Sequence, residues 1–170
     1  MANTYTLIAS STVGSGGASS IDFTSIPSTY TDLVLKISCR TNSTLAYVDG
    51  KITFNGSGSS YSWRSVYGTG SATGSGNGAN QASGWGVEPG TYTASTFGNA
   101  EIYIPNYAGS TNKSWSADSV NENNATGGWQ FLHAGLWSST AAITSISIAD
   151  ANSNNFVQYS TAYLYGVKNA

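Results

Sequence analysis

Asp32-Leu33-Val34-Leu35-Lys36-Ile37-Ser38-Cys39-Arg40 decides the fold class. Along an extended chain Leu33, Leu35, Ile37 and Cys39 fall on one side, and Asp32, Val34, Lys36, Ser38 and Arg40 on the other. Period two with one apolar face is the pattern of a half-buried β-strand, because successive side chains of a strand point to opposite faces. Cys39 then reads as a small core residue. It is the single cysteine, so it forms no internal disulfide and implies no oxidising compartment.

The same reading extends in both directions. A short strand over Lys51 to Phe54 is entered through Asp49-Gly50 and left through Asn55-Gly56, both dipeptides suited to a type I′ turn. Further strands are expected over Thr4 to Val13, Ser19 to Thr24, Tyr61 to Tyr67, Thr96 to Ile104, Ser114 to Val120, Trp129 to Trp137, Ala142 to Ala149 and Phe156 to Val167. Breaks of Gly, Asn, Ser or Pro separate almost all of them. About ten strands at spacings of roughly 8 to 15 residues predict an all-β antiparallel β-sandwich. Jelly-roll type is the best match, with a barrel or β-prism as alternatives. No segment holds a 3.6-residue repeat with caps. The whole chain, 1–170, reads as one domain. Gly68 to Gly86 is low in complexity and rich in Gly and Ser. It predicts a long surface loop at 68–86, anchored by Trp85, since such a tract buries too little apolar area to offset its ordering entropy.

Composition narrows function. Charged residues make up 8% of the chain, against roughly 25% in ordinary soluble domains. Ser, Thr, Asn and Gly supply about half of it. Leu, Ile, Val and Phe are few, but five Trp and eleven Tyr can replace them in a core. Six Lys and Arg and a net charge of −2 cannot build a phosphate-binding face, so no direct nucleic-acid partner is expected. No apolar run reaches the length of a membrane span, and Met1-Ala2-Asn3-Thr4-Tyr5 lacks the basic start of a signal peptide, so no membrane partner is expected.

No motif commits the chain to chemistry. Gly74-Ser75-Gly76-Asn77-Gly78-Ala79 matches a dinucleotide-binding pattern in letters, but lacks the strand before it and the helix after it that would present amides to a pyrophosphate. Asp150-Ala151-Asn152-Ser153-Asn154 opens like a calcium loop and then fails at Asn155 and Thr161, where Gly and Glu are needed. Asp118 to Asn124 is a second oxygen-rich loop, and both read first as turns. His133, the single histidine, falls on the same strand face as Trp129 and Phe131, opposite Gln130 and Leu132, and reads as a histidine hydrogen-bonded at a core edge. One His and one Cys cannot complete a zinc site. Glu88, Glu101 and Glu122 lie in separate segments, where the sequence alone does not bring two together as glycoside hydrolysis would require. The expectation is a protein that is not an enzyme and holds no cofactor or metal. Most aromatics are expected in the core or at a subunit interface. The alternative is a sugar-stacking platform, and Tyr61, Trp63, Trp85, Trp115 and Trp137 are the candidates for subunit or ligand contact.

Four blocks carry a resemblance. They are Phe54-Asn-Gly-Ser-Gly-Ser-Ser-Tyr-Ser-Trp63 with Arg64-Ser-Val-Tyr-Gly68; Ile102-Tyr-Ile-Pro-Asn-Tyr-Ala-Gly-Ser110 with Lys113-Ser114; Gly135-Leu-Trp-Ser-Ser-Thr-Ala-Ala-Ile143; and Ser160-Thr-Ala-Tyr-Leu-Tyr-Gly-Val-Lys168. Their content and order resemble small head or tail structural proteins of marine tailed bacteriophages, over about a quarter of the chain. The resemblance implies a location in the virion after synthesis in the host cytoplasm. It implies a capsid decoration or cement protein that contacts copies of itself, as a homotrimer, and the major capsid protein. The alternative within the same family is a tail or fibre component that binds a host-surface glycan. Sparse charge and few prolines also leave sheet edges without their usual guards, so an assembly is expected on physical grounds.

Overall fold

The computed structural model describes residues 4–80, 83–124 and 127–168 and, within them, twelve strands and no helix. Met1 to Asn3, and Gln81 and Ala82 of the glycine tract, lie outside the described residues. The strands are β1 (Tyr5–Thr12), β2 (Ser20–Phe23), β3 (Asp32–Cys39), β4 (Val48–Phe54), β5 (Tyr61–Gly68), β6 (Thr73–Ala79), β7 (Trp85–Val87), β8 (Gly98–Pro105), β9 (Lys113–Glu122), β10 (Gly128–Trp137), β11 (Ile146–Asp150) and β12 (Thr161–Val167). They form two antiparallel sheets that share one core, an all-β architecture of sandwich type. The larger sheet runs β1-β12-β3-β8-β9-β10-β5-β6, and the smaller runs β2-β11-β4-β7.

Alternation places the core. Leu33, Leu35, Ile37 and Cys39 are all buried, as the pattern of 32–40 requires. Ala100, Ile102 and Ile104 from β8, Trp115 and Ala117 from β9, and Ala162 and Leu164 from β12 continue that face. Ile21, Phe23, Ile52, Phe54, Ile146 and Ile148 supply the facing side from the small sheet. β7, the edge of the small sheet, packs on β8, β9 and β10, and the large sheet continues past it through β5 and β6.

Two sequence expectations are corrected. Asp49-Gly50 is not a turn but lies within β4, pairing with Gly86 and Trp85. The glycine is needed there because the Trp85 indole lies on it: a Cβ on Gly50 would meet the ring at 2.2 Å. The reading of 68–86 as a surface loop also fails. Thr73–Ala79 is a strand paired along its length with β5, and Trp85 opens β7. The tract need not bury its own side chains, because rings from β5 cover it. Trp63 stands directly opposite Gly78, and Tyr67 opposite Gly74. A Cβ on either glycine would lie 2.4 Å from those rings. Large rings laid across cross-strand glycines are a known device for stabilising a glycine-rich edge. By contrast, Asn55 and Gly56 do form the expected tight turn, with φ of 52° and 69°.

Buried charge is used structurally. The Arg40 guanidinium donates to the carbonyl oxygens of Thr93 (2.8 Å), Thr96 (3.1 Å), Gly90 (2.9 Å) and Tyr92 (2.7 Å), tying down the segment between β7 and β8. Lys113, also buried, donates to the carbonyls of Gly109 and Thr111. Two of the six cationic side chains are thereby withdrawn from the surface.

Candidate functional surface

Successive cross-strand pairs draw one row across the whole outward face of the large sheet: Ser10, Tyr163, Lys36, Glu101, Asp118, Leu132, Val66 and Ser75. A neighbouring row runs through Leu7, Tyr165, Val34, Tyr103, Ser116, Ala134, Arg64 and Asn77. This face carries Leu132 (58% exposed), Val66 (56%), Leu7 (51%) and Tyr103 (39%) in the open. The single salt bridge found among the described residues, Lys36 with Glu101, lies in the middle of it. Tyr163, Lys36, Glu101, Tyr103, Asp118 and Leu132 border a depression of about 600 Å³. The Tyr103 hydroxyl donates to Asp32 Oδ2 at 2.9 Å, and that bond holds the phenol above its ordinary pKa.

The opposite side of β10, β5 and β6 is aromatic. Tyr47, Tyr67, Trp129 and Phe131 contact one another with centroids 4.9–5.6 Å apart, and His133 reaches Trp63 at 5.5 Å and Phe131 at 5.9 Å. The face assignment read from the sequence for His133 holds, but its expected hydrogen bond does not form. Neither ring nitrogen has a partner among the described residues, and burial pushes the pKa down to about 4, so the ring is neutral.

Of the five aromatics singled out in the sequence, Tyr61, Trp85, Trp115 and Trp137 are buried in the core, so they are withdrawn as subunit or ligand contacts. Their rings fill the space that a core poor in aliphatics leaves open. Trp63 is half-buried and stays at the rim. The residues that do lie open, Tyr163, Tyr103, Leu132 and Val66, were missed. Their signal was an apolar residue on the polar phase of an alternating strand, as with Leu132 between Phe131 and His133.

Glu101 and Asp118 are cross-strand neighbours, but Lys36 pairs with the first and both lie on an open face. Glu88 is buried and accepts from Thr96 at 2.8 Å, and burial raises its pKa. Asp150 accepts from the Asn152 amide and from Asn154 Nδ2 at 3.1 Å, the geometry of an Asx turn, so its carboxylate is engaged by its own loop. Among the described residues no group of three or more His, Cys, Asp or Glu is placed to hold a metal ion. No protein-family model matches the chain, and neither the curated proteins nor the solved structures yield a match.

Proposed function

We propose that this chain is a structural protein of a phage virion, a capsid decoration or cement protein that stabilises the head shell by contacts with copies of itself and with the major capsid protein. The observation that carries the reading is the outward face of the large sheet. It is eight strands wide and leaves Leu132, Val66 and Tyr103 open beside the few charges of Lys36, Glu101, Asp118 and Arg64. A face of this kind is built to be covered. The mechanism is physical: contacts present only in the assembled shell stabilise it by mass action. The resemblance of the four sequence blocks points the same way. So does the strand order. With β5, β6, β9 and β10 set aside, the remaining eight strands number 1-8-3-6 in one sheet and 2-7-4-5 in the other. We read this as a jelly-roll winding carrying two inserted hairpins, both added to one side of the large sheet.

Antibody-gold labelling of intact virions tests the proposal. Label spread over the head is expected, and its absence from the head would overturn the reading. A second reading, a tail or fibre component that binds a host-surface glycan, is favoured by the depression beside Tyr103 and Tyr163, where two rings lie among polar groups. Label confined to the tail together with glycan binding by the isolated protein would select it.

A further inference from the structure

Among the described residues the sandwich has four sheet edges, and three are guarded. β2 is four residues long and carries Asp22, and β7 is three residues long and buried. At the other end of the large sheet, β1 is interrupted by a bulge between Leu7 and Ala9, which breaks the flat ladder a partner would need. The fourth edge, β6, has seven residues, no charge, no proline and no bulge. Thr69 donates to the Ala72 carbonyl at 2.9 Å and Asn80 to the Tyr61 carbonyl at 2.6 Å. Antiparallel ladders alternate strictly, so these two bonds set the phase: Gly74, Gly76 and Gly78 bond to β5, and Thr73, Ser75, Asn77 and Ala79 present their N–H and C=O groups outward.

We propose that β6 pairs with β6 of a second copy of this chain, antiparallel about a two-fold axis through Gly76. In that register Thr73 faces Ala79 and Ser75 faces Asn77 of the other copy, each pair exchanging two hydrogen bonds, and every outward group of the edge is satisfied. Gly74 then falls opposite Gly78, and Gly76 opposite itself, at the positions where opposed strands approach most closely, to about 4.5 Å between Cα atoms. Glycine at all three leaves nothing to collide. The register is self-complementary, each residue facing the same partner from either copy, as a two-fold contact requires, and the glycines fall on glycines. Arg64, in register with Asn77, would face Ser75 and Val66 across the seam instead of its own copy. The pairing closes on itself, and the bulged β1 edge prevents further growth. The inference is independent of the virion reading and differs from the trimer that the family resemblance implies.

Analytical ultracentrifugation of the full chain at micromolar concentration decides it. The unmodified protein is expected to sediment with twice the monomer mass. Ser75→Glu with Asn77→Glu sets like charges across both pairs and is expected to give a monomer with unchanged circular dichroism. Ser75→Glu with Asn77→Lys sets opposite charges across the same pairs and is expected to restore the dimer. A monomeric or trimeric unmodified protein, a double-Glu variant that stays dimeric, or a folded Glu/Lys variant that stays monomeric would each overturn the proposal. Should a variant fail to fold, hydrogen exchange of the unmodified protein decides. The amides of Ser75 and Asn77 must become more protected as concentration rises, and unchanged exchange counts against the pairing.

Discussion

His133 and Gly50 show what single positions contribute. An unfolded His titrates near 6.5, whereas in β10 desolvation lowers the value to about 4. Between those values the unfolded chain binds a proton that the folded one refuses, so this residue's contribution to stability is complete above about pH 6.5. It is lost as pH falls toward 4, at a cost of up to about 3 kcal/mol. Asp49 and Glu88 act in the opposite sense: burial raises their pKa values, so their contribution is greatest at low pH and declines as pH rises through the carboxylate range. The comparison of interest is therefore between the native chain and His133→Phe, which keeps a ring in the aromatic row. Melting temperatures from pH 4 to 7 are expected to converge on those of the variant as pH rises, with the native chain losing more on the acid side. Parallel curves would show that His133 does not titrate differently on folding. Gly50→Ala is expected to cost about 1–3 kcal/mol by denaturant unfolding, because its methyl would enter the Trp85 ring. The sequence hid this role, since Asp-Gly in isolation is a turn signal and nothing local announces an indole arriving from residue 85.

At the scale of elements, strands of ordinary composition were legible and the glycine strand was not. Alternation fixed β3, β8, β9 and β10 because each buries its own apolar phase. β6 buries nothing of its own and becomes a strand through the rings of Trp63 and Tyr67, which belong to β5. Tertiary context here overrides the poor strand propensity of glycine. The dependence is testable. Trp63→Ala is expected to speed hydrogen exchange at the amides of Gly74, Gly76 and Gly78 while leaving those of β3 and β8 unchanged. It also removes the ring beside His133, so the histidine pKa is expected to move back up toward 6.5. Unaltered exchange in β6 would show that its backbone ladder stands without the indole. The candidate surface was hidden for a related reason. Leu132, Val66 and Tyr103 are scattered along the sequence, and only the register of β8, β9, β10 and β5 assembles them on one face.

For the molecule as a whole, alternation along the chain specifies the all-β class but not which strand pairs with which. Pairing partners leave no local trace: β12, at the far end of the chain, inserts between β1 and β3, while β11 inserts between β2 and β4. Both of these interior positions are thus filled by late segments, and neither sheet is continuous until nearly the whole chain is present. The two flanks of β12 are unequal. β1 is an edge with Tyr5 and Leu7 half exposed, whereas β12 carries Ala162 and Leu164, both fully buried, and holds β1 to β3 through a bulged ladder on one side and an unbroken one on the other. Removing residues before Val13 exposes β12 as a new edge and is expected to leave a cooperative fold of reduced melting temperature. Ending the chain at Ser160 removes a buried strand from the interior of the sheet, strands β1, and opens the core at Leu35 and Ile37, which lie in register with Leu164 and Ala162. That variant is expected to show no cooperative thermal transition and no dispersed amide spectrum. A cooperative melt in it, at any temperature, would mean that β1 can close on β3 directly and that β12, between them, is not what holds this end of the large sheet together.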